Sequence, residues 1–123
     1  MKNVNSELQD FITEIQGLFE LKYPVAISVR NLTRYQGFYE LRLCPIDDDD
    51  DNLEYWHDIK ISTITNRTIE DFMSTVAHEF VHAWQHEQGL PVDHGESFRP
   101  WIKHFHENYS IDILLGDYHE YKL

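Results

Sequence analysis

The chain has a single cysteine, Cys44, among 123 residues. One thiol excludes an internal disulfide and any Cys-rich zinc ribbon or finger within this sequence, and it points to a reducing, cytoplasmic setting. Basic residues are also scarce: ten Lys and Arg stand against 22 Asp and Glu, a formal charge of −12. The averaged field of such a chain repels phosphate backbones and anionic membrane surfaces, so direct nucleic-acid binding is opposed. No apolar run approaches the roughly 18–20 residues that cross a bilayer, and the first residues lack the continuous apolar stretch of a secretory signal. Neither a membrane-spanning nor an exported protein is expected. With four prolines and five glycines there is no linker-like segment and no repeat, and the length suits one domain, 1–123.

What is present is enough apolar and aromatic side chain, 41% and 14% of residues, to bury a core. Leu8, Phe11, Ile12, Ile15, Leu18 and Phe19 recur at helical spacing, and Ser6 with Gln9 matches a capping box. Pro24 forbids continuation, so the first helix is predicted at roughly 6–22. The period then becomes two. Val25, Ile27 and Val29, then Tyr39, Leu41 and Leu43, then Ile59 and Ile61 alternate with polar neighbours, as half-buried strands do. Three such strands predict a small antiparallel sheet. Between the second and third lies an acidic segment, about 45–56, with aspartate at every position from Asp47 to Asp51 and then Glu54. Packing that density of like charge is costly, so it is predicted to be a solvated loop. It lacks the spaced oxygens and central glycine of an EF-hand calcium site.

Thr68 is a plausible N-cap, with Glu70 and Asp71 in the first turn that follows, and Gly89 and Pro91 give the expected ending of this second helix. A last helix is predicted from near Glu96 to Tyr109, with Phe98, Trp101, Ile102, Phe105 and Tyr109 facing the core.

The second of these helices carries His78-Glu79-Phe80-Val81-His82. Residues four apart on a helix lie about 6 Å along the axis and about 40° around it, so both imidazoles can reach one ion. A carboxylate at Glu79 can then accept a proton from water that the ion has acidified, the general-base role in hydrolysis. His86 continues the spacing but lies about 12 Å along the helix from His78, too far to share a tetrahedral ion, and is expected on the cleft rim. Gln85 and Gln88 stand where the metzincin pattern needs glycine and histidine, which excludes that family. His94, just past the helix end, is the best third ligand. Glu87 and Glu96 are carboxylate alternatives, the second being able to orient an imidazole instead.

HEFVHAWQ, then an eleven-residue gap from His82 and His94-Gly95-Glu96-Ser97-Phe98, resembles the SprT-like zinc metallopeptidases, whose pattern is HExxH followed by HGxxF. The resemblance covers about residues 5–109. It implies an α+β, zincin-like mini-domain: an N-terminal helix, a three-stranded sheet, the motif helix and a closing helix. It further implies one zinc ion held by His78, His82 and His94, with Glu79 catalytic. Many members carry a Cys-rich ribbon after the peptidase domain, and the Spartan proteases, which digest protein crosslinked to DNA, use added DNA-binding segments; this sequence has neither. The implied partner is a polypeptide, unfolded or DNA-bound, with direct DNA contact opposed by the charge. The third strand is expected beside the cleft, pairing with extended substrate, and an acidic loop near the entrance would favour basic or unfolded polypeptides.

The remaining candidates have plainer readings. Tyr109, Tyr118, Tyr121, His104 and His106 are possible oxyanion donors but read better as packing or surface residues. His57 reads as a polar edge residue at the start of the third strand. Trp84, Trp101 and Cys44 read as core or small-hydrophobe positions. Two rivals to the peptidase are an acidic, non-enzymatic protein that mimics nucleic acid and a relative that keeps zinc for stability alone.

Overall fold

A computed structural model describes residues 4–33, 36–46, 49–63, 65–66 and 68–114. The order of elements is α1 (Val4–Phe19), β1 (Val25–Arg30), β2 (Gly37–Ile46), β3 (Asp49–Ser62), α2 (Ile69–Glu87) and α3 (Arg99–Tyr109). Helix α1 begins two residues before Ser6, so Ser6 lies within the helix rather than capping it. It ends at Phe19, short of residue 22, because Glu20 turns left-handed at φ 51°. The amides of Lys22 and Tyr23 are then spent on the Glu87 carboxylate, at 2.7 and 3.0 Å.

The sheet order is β1-β3-β2, with β1 parallel and β2 antiparallel to β3. The sheet is therefore mixed, not antiparallel throughout. The chain reverses direction between β1 and β2 and again between β2 and β3, and β3 inserts between the other two, so β1 and β3 run the same way. An all-antiparallel sheet would need β2 in the middle. Side-chain alternation reports which face is buried but not which strand is central.

The predicted acidic loop is also corrected. Strand β2 runs on to Ile46 and β3 starts at Asp49, so residues 45–46 and 49–56 lie in strands, with Leu43 opposite Tyr55, Pro45 opposite Leu53 and, after a register shift, Ile46 opposite Asp49. Asp47 and Asp48 lie outside the described residues. Charge density opposes burial of acidic side chains, but it does not forbid pairing of the backbone.

Helix α2 has the predicted cap: Thr68 Oγ1 accepts from Asp71 N at 3.1 Å and Asp71 Oδ2 accepts from Thr68 N at 3.3 Å. Gly89, at φ 72°, follows its end. Helix α3 starts at Arg99 rather than Glu96, with Pro100 in its first turn, where a missing N–H costs nothing. The core joins Phe11, Ile15 and Phe19 of α1 to Ile59 and Ile61 of β3, Val76 and Phe80 of α2, and Phe105 of α3. Trp101 packs against Phe19 at 4.4 Å with the rings tilted by 42° and meets Trp84 edge-on at 5.5 Å, as the helical spacing predicts for packing residues. No helix among the described residues is long and apolar enough to cross a membrane.

Candidate metal centre

Helix α2 lies between the sheet on one side and α1 and the C-terminal segment on the others, so the run from Ser74 to Ala83 is entirely buried. Its polar side chains must find partners inside the protein. His78, at 2% exposure, directs Nδ1 to the carbonyl oxygen of Ile113 in a short hydrogen bond. His82, at 4%, directs Nδ1 to Gln85 Oε1 at 2.9 Å. Both partners are acceptors, so both Nδ1 atoms carry the proton and both Nε2 atoms present a lone pair.

Those Nε2 atoms meet a third. Beyond Gly89 the chain turns back, and His94 Nε2 lies 2.8 Å from His78 Nε2 and 3.2 Å from His82 Nε2. The ligand atoms of this group all fall within 4.8 Å of one another. A single proton on His94 can satisfy one of its two contacts, and the other then brings two lone pairs together; one cation resolves both. Zinc–imidazole bonds of about 2.0–2.1 Å in tetrahedral geometry place nitrogens about 3.3 Å apart, so the donor set and its spacing fit zinc.

The support around the three rings is built from residues with no ligand role. Phe98 lies 4.9, 5.4 and 4.8 Å from the rings of His78, His82 and His94, forming a common floor. Gln85, fully buried, receives the His82 proton on Oε1 and donates its two N–H groups to Asp93 O at 2.9 Å and Ser97 Oγ at 2.8 Å. It thus fastens the loop carrying His94 to the helix carrying His82. Asp93 Oδ1 accepts from Gly95 N at 2.9 Å, and a Cβ on Gly95 would stand 3.2 Å from that oxygen, so the turn is tight at glycine. Sequence reasoning missed Gln85 and Ile113. A glutamine three residues after a candidate ligand, on the face that must be buried, was the available signal for the first; nothing local signals the second.

Glu79 is 1% exposed and its Oε1 atom is sealed from solvent. Its carboxylate rests against the start of β2: a Cβ on Gly37 would lie 2.7 Å from Glu79 Oε2 and 2.6 Å from Thr75 Cγ2. The strand beside Glu79 is therefore β2, an edge strand, while the expected neighbour β3 is central and paired on both sides.

His57 is likewise corrected. It lies inside β3 at 0% exposure, not at an edge, flanked by Val25 and Leu41. Its Nε2–H donates to Glu87 Oε2 at 2.6 Å and its Nδ1 accepts from the Tyr39 hydroxyl at 2.8 Å. His86 Nδ1 reaches the same hydroxyl at 3.3 Å. Burial pushes the His57 pKa down, outweighing the Glu87 carboxylate, which pulls it up. Burial pushes Glu87 up, but hydrogen bonds from His57, Lys22 N and Tyr23 N outweigh it and hold this carboxyl below its ordinary value. Burial, then the Glu87 charge, raise Tyr39 far above the usual phenol, so it remains a donor. A neutral His57 beside an ionised Glu87 gives every proton in the chain an acceptor.

The other candidates are dispersed. His86 is exposed at the end of α2 and contacts Tyr39 rather than the three histidines, Glu87 is engaged with His57, and Glu96 is exposed. Tyr109 packs edge-on against Phe11 at 5.3 Å, and burial with a Glu14 hydrogen bond pushes its pKa up to about 12. His104 packs on Trp101 and Phe105, and His106 is exposed. Tyr118 and Tyr121 lie outside the described residues.

No curated protein matches the chain. The SprT-like family model matches residues 5–115, from the first helix to beyond the last, and the chain belongs to the SprT-like family.

Proposed function

We propose that the protein is a zinc-dependent peptidase in which His78, His82 and His94 hold the metal and Glu79 is the general base. The observation that carries this reading is the convergence of three imidazole Nε2 atoms, two of them with their protons fixed on the opposite nitrogen, one residue away from a buried glutamate. Zinc bound there supplies Lewis-acid polarisation of a peptide carbonyl and acidification of water toward a pKa near about 7. Glu79 takes a proton from the attacking water and returns it to the departing amide nitrogen. Ile113 O, Gln85 and Phe98 hold the imidazoles, so little reorganisation accompanies the reaction.

The substrate is a polypeptide in extended form, paired along the outer edge of β2, where main-chain hydrogen bonds give affinity with little sequence preference. An unfolded protein, or the protein part of a DNA-linked adduct, meets that requirement. The charge of −12 opposes a direct hold on the DNA itself. We place this activity in the cytoplasm on the strength of the single cysteine.

The test pairs zinc content with digestion of a denatured protein, for wild type and Glu79→Gln. One zinc per chain is expected in both, with cleavage by the wild type alone. Zinc in both without cleavage by either would assign the metal a stabilising role, and no zinc with tight binding to a basic protein would favour the acidic mimic.

A further inference from the structure

The β2–β3 hairpin outgrows the rest of the fold. Strand β1 pairs β3 only from His57 to Ser62, and α2 ends at Glu87, beside His57. Beyond Leu41 and His57 the two strands continue as an arm with no third strand among the described residues. By alternation, Leu43, Pro45, Leu53 and Tyr55 share the face of Tyr39 and His57, the face on which α2 packs. Once α2 ends, this face is open: Leu43 is 51%, Leu53 46% and Tyr55 43% exposed, with Tyr23 at 36% tilted against Tyr55 at 5.4 Å. Four large apolar side chains in one patch are unusual on a chain with this charge, and a two-stranded arm gains little stability by exposing them.

We infer that this face of the arm docks an extended polypeptide segment with apolar residues at alternate positions and basic residues beside them. Three observations select that occupant. The patch continues the β2 edge that begins at Gly37 beside Glu79, so one strand paired with β2 runs from the candidate centre onto the arm. Gly37 to Leu43 is six residues, about 20 Å, so the docked part lies roughly six residues from the bond at Glu79. Alternate side chains of such a strand point to the face of Leu43 and Tyr55. Strand β3 of the arm also opens with Asp49, Asp50 and Asp51 and continues to Glu54, acidic residues that complement lysine and arginine, and the −12 charge of the chain repels both nucleic acid and a second copy. The inference deepens the peptidase reading and rests on it for its use, but binding is measured without turnover.

The experiment uses the full chain as Glu79→Gln and a fluorescein-labelled 12-residue peptide with leucine at alternate positions, serine between them and three lysines at one end. Leu43→Ser/Leu53→Ser, both surface changes, should raise the anisotropy-derived Kd at least about tenfold, since each leucine loses much of its transfer free energy. Changing the peptide lysines to glutamate should weaken binding further, and added salt should weaken the lysine peptide. Equal Kd for parent and double variant would overturn the inference. So would sedimentation of the parent as a dimer that the double variant makes monomeric, because the arm is then covered by its own copy. A wild type that binds this peptide through Leu43 and Leu53 yet cleaves no protein would sink the peptidase reading and leave the docking surface standing.

Discussion

At Gly37 the sheet lies close against α2, and replacing this glycine with alanine tests the geometry around Glu79. The added methyl would stand 2.6 Å from Thr75 Cγ2, 2.7 Å from Glu79 Oε2 and 3.2 Å from Glu79 Cγ. Ordinary carbon–carbon contacts are about 3.5–4.0 Å, so something must move by nearly 1 Å. Thr75 resists: it is β-branched, 2% exposed, and its hydroxyl donates to Asn66 Oδ1 at 2.7 Å. Asn66 is itself held by Gln36 O and Ser62 O at 3.0 and 2.8 Å. Overpacking of this kind costs about 1–3 kcal/mol. At about 2.1 cal/mol/K per residue a chain of this length loses roughly 4 °C of Tm per kcal/mol, so Gly37→Ala should melt about 4–12 °C lower.

The other group in the way is the Glu79 carboxylate, whose Oε2 would stand 2.7 Å from the new methyl. A displacement near 1 Å should lower kcat by about 10–100-fold. The three atoms nearest the new methyl belong to Thr75 and Glu79, none to the proposed ligands His78, His82 and His94, so zinc content should be unchanged. Thr75→Ser separates the two effects, because it deletes Cγ2 and keeps the hydroxyl bonded to Asn66. The pair Gly37→Ala/Thr75→Ser should recover part of the lost Tm while kcat remains low. Calorimetry, metal analysis and steady-state digestion of an unfolded protein read the three quantities. An alanine variant that melts within about 1 °C of wild type and retains its kcat would refute the close packing of β2 on Glu79.

Gln85→Leu should weaken zinc binding by about 10–100-fold, read by chelator competition, because His82 loses its orienting acceptor and the His94 loop loses two hydrogen bonds. Unchanged affinity would show that the loop is held without it. Removing zinc from the wild type should lower Tm, by an amount that grows with the zinc concentration of the reference sample, because the metal binds the folded chain alone; a concentration-independent Tm would contradict that. His57, its pKa held below 6.5 by burial, should titrate below that value in a ring-nitrogen NMR experiment, with the proton on Nε2 at neutral pH. Its folded pKa is lowered, so its contribution to stability is present above 6.5 and lost as pH falls through the folded value. Glu87, lowered from 4.5, acts in the same direction at lower pH. A His57 midpoint above 6.5 would reverse the sign.

What the sequence made legible is what local geometry decides. Four-residue spacing puts His78 and His82 on one face whatever the tertiary fold, and Thr68 with Asp71 starts the helix by bonds that span three residues. His94 is reached by a loop short enough for Gly89 and Pro91 to suggest its direction. Strand order is not local: Val25–Val29 and Tyr39–Leu43 alternate alike, and only the insertion of β3 between them decides which becomes the edge beside Glu79. His57 was misplaced for the same reason, since its carboxylate partner comes from a different element 30 residues away. The acidic arm was misread because charge reports the solvation of side chains and is silent about pairing of the backbone.

Helix α2 unites these successes and failures. It is buried on nearly all sides, so each polar residue on it has to be met by a different part of the chain. Thr75 goes to Asn66 before the helix, His78 to Ile113 after α3, Glu79 to the start of β2, Gln85 to the loop holding His94, and Glu87 to His57 and the α1–β1 turn. A candidate metal site built this way is positioned by the whole fold even though its proposed ligands are close in sequence. Breaking any one of these attachments shifts a ligand or the glutamate without removing it. The positions whose variants test the site most sharply are therefore Gly37, Thr75 and Gln85, none of which carries an imidazole or a carboxylate.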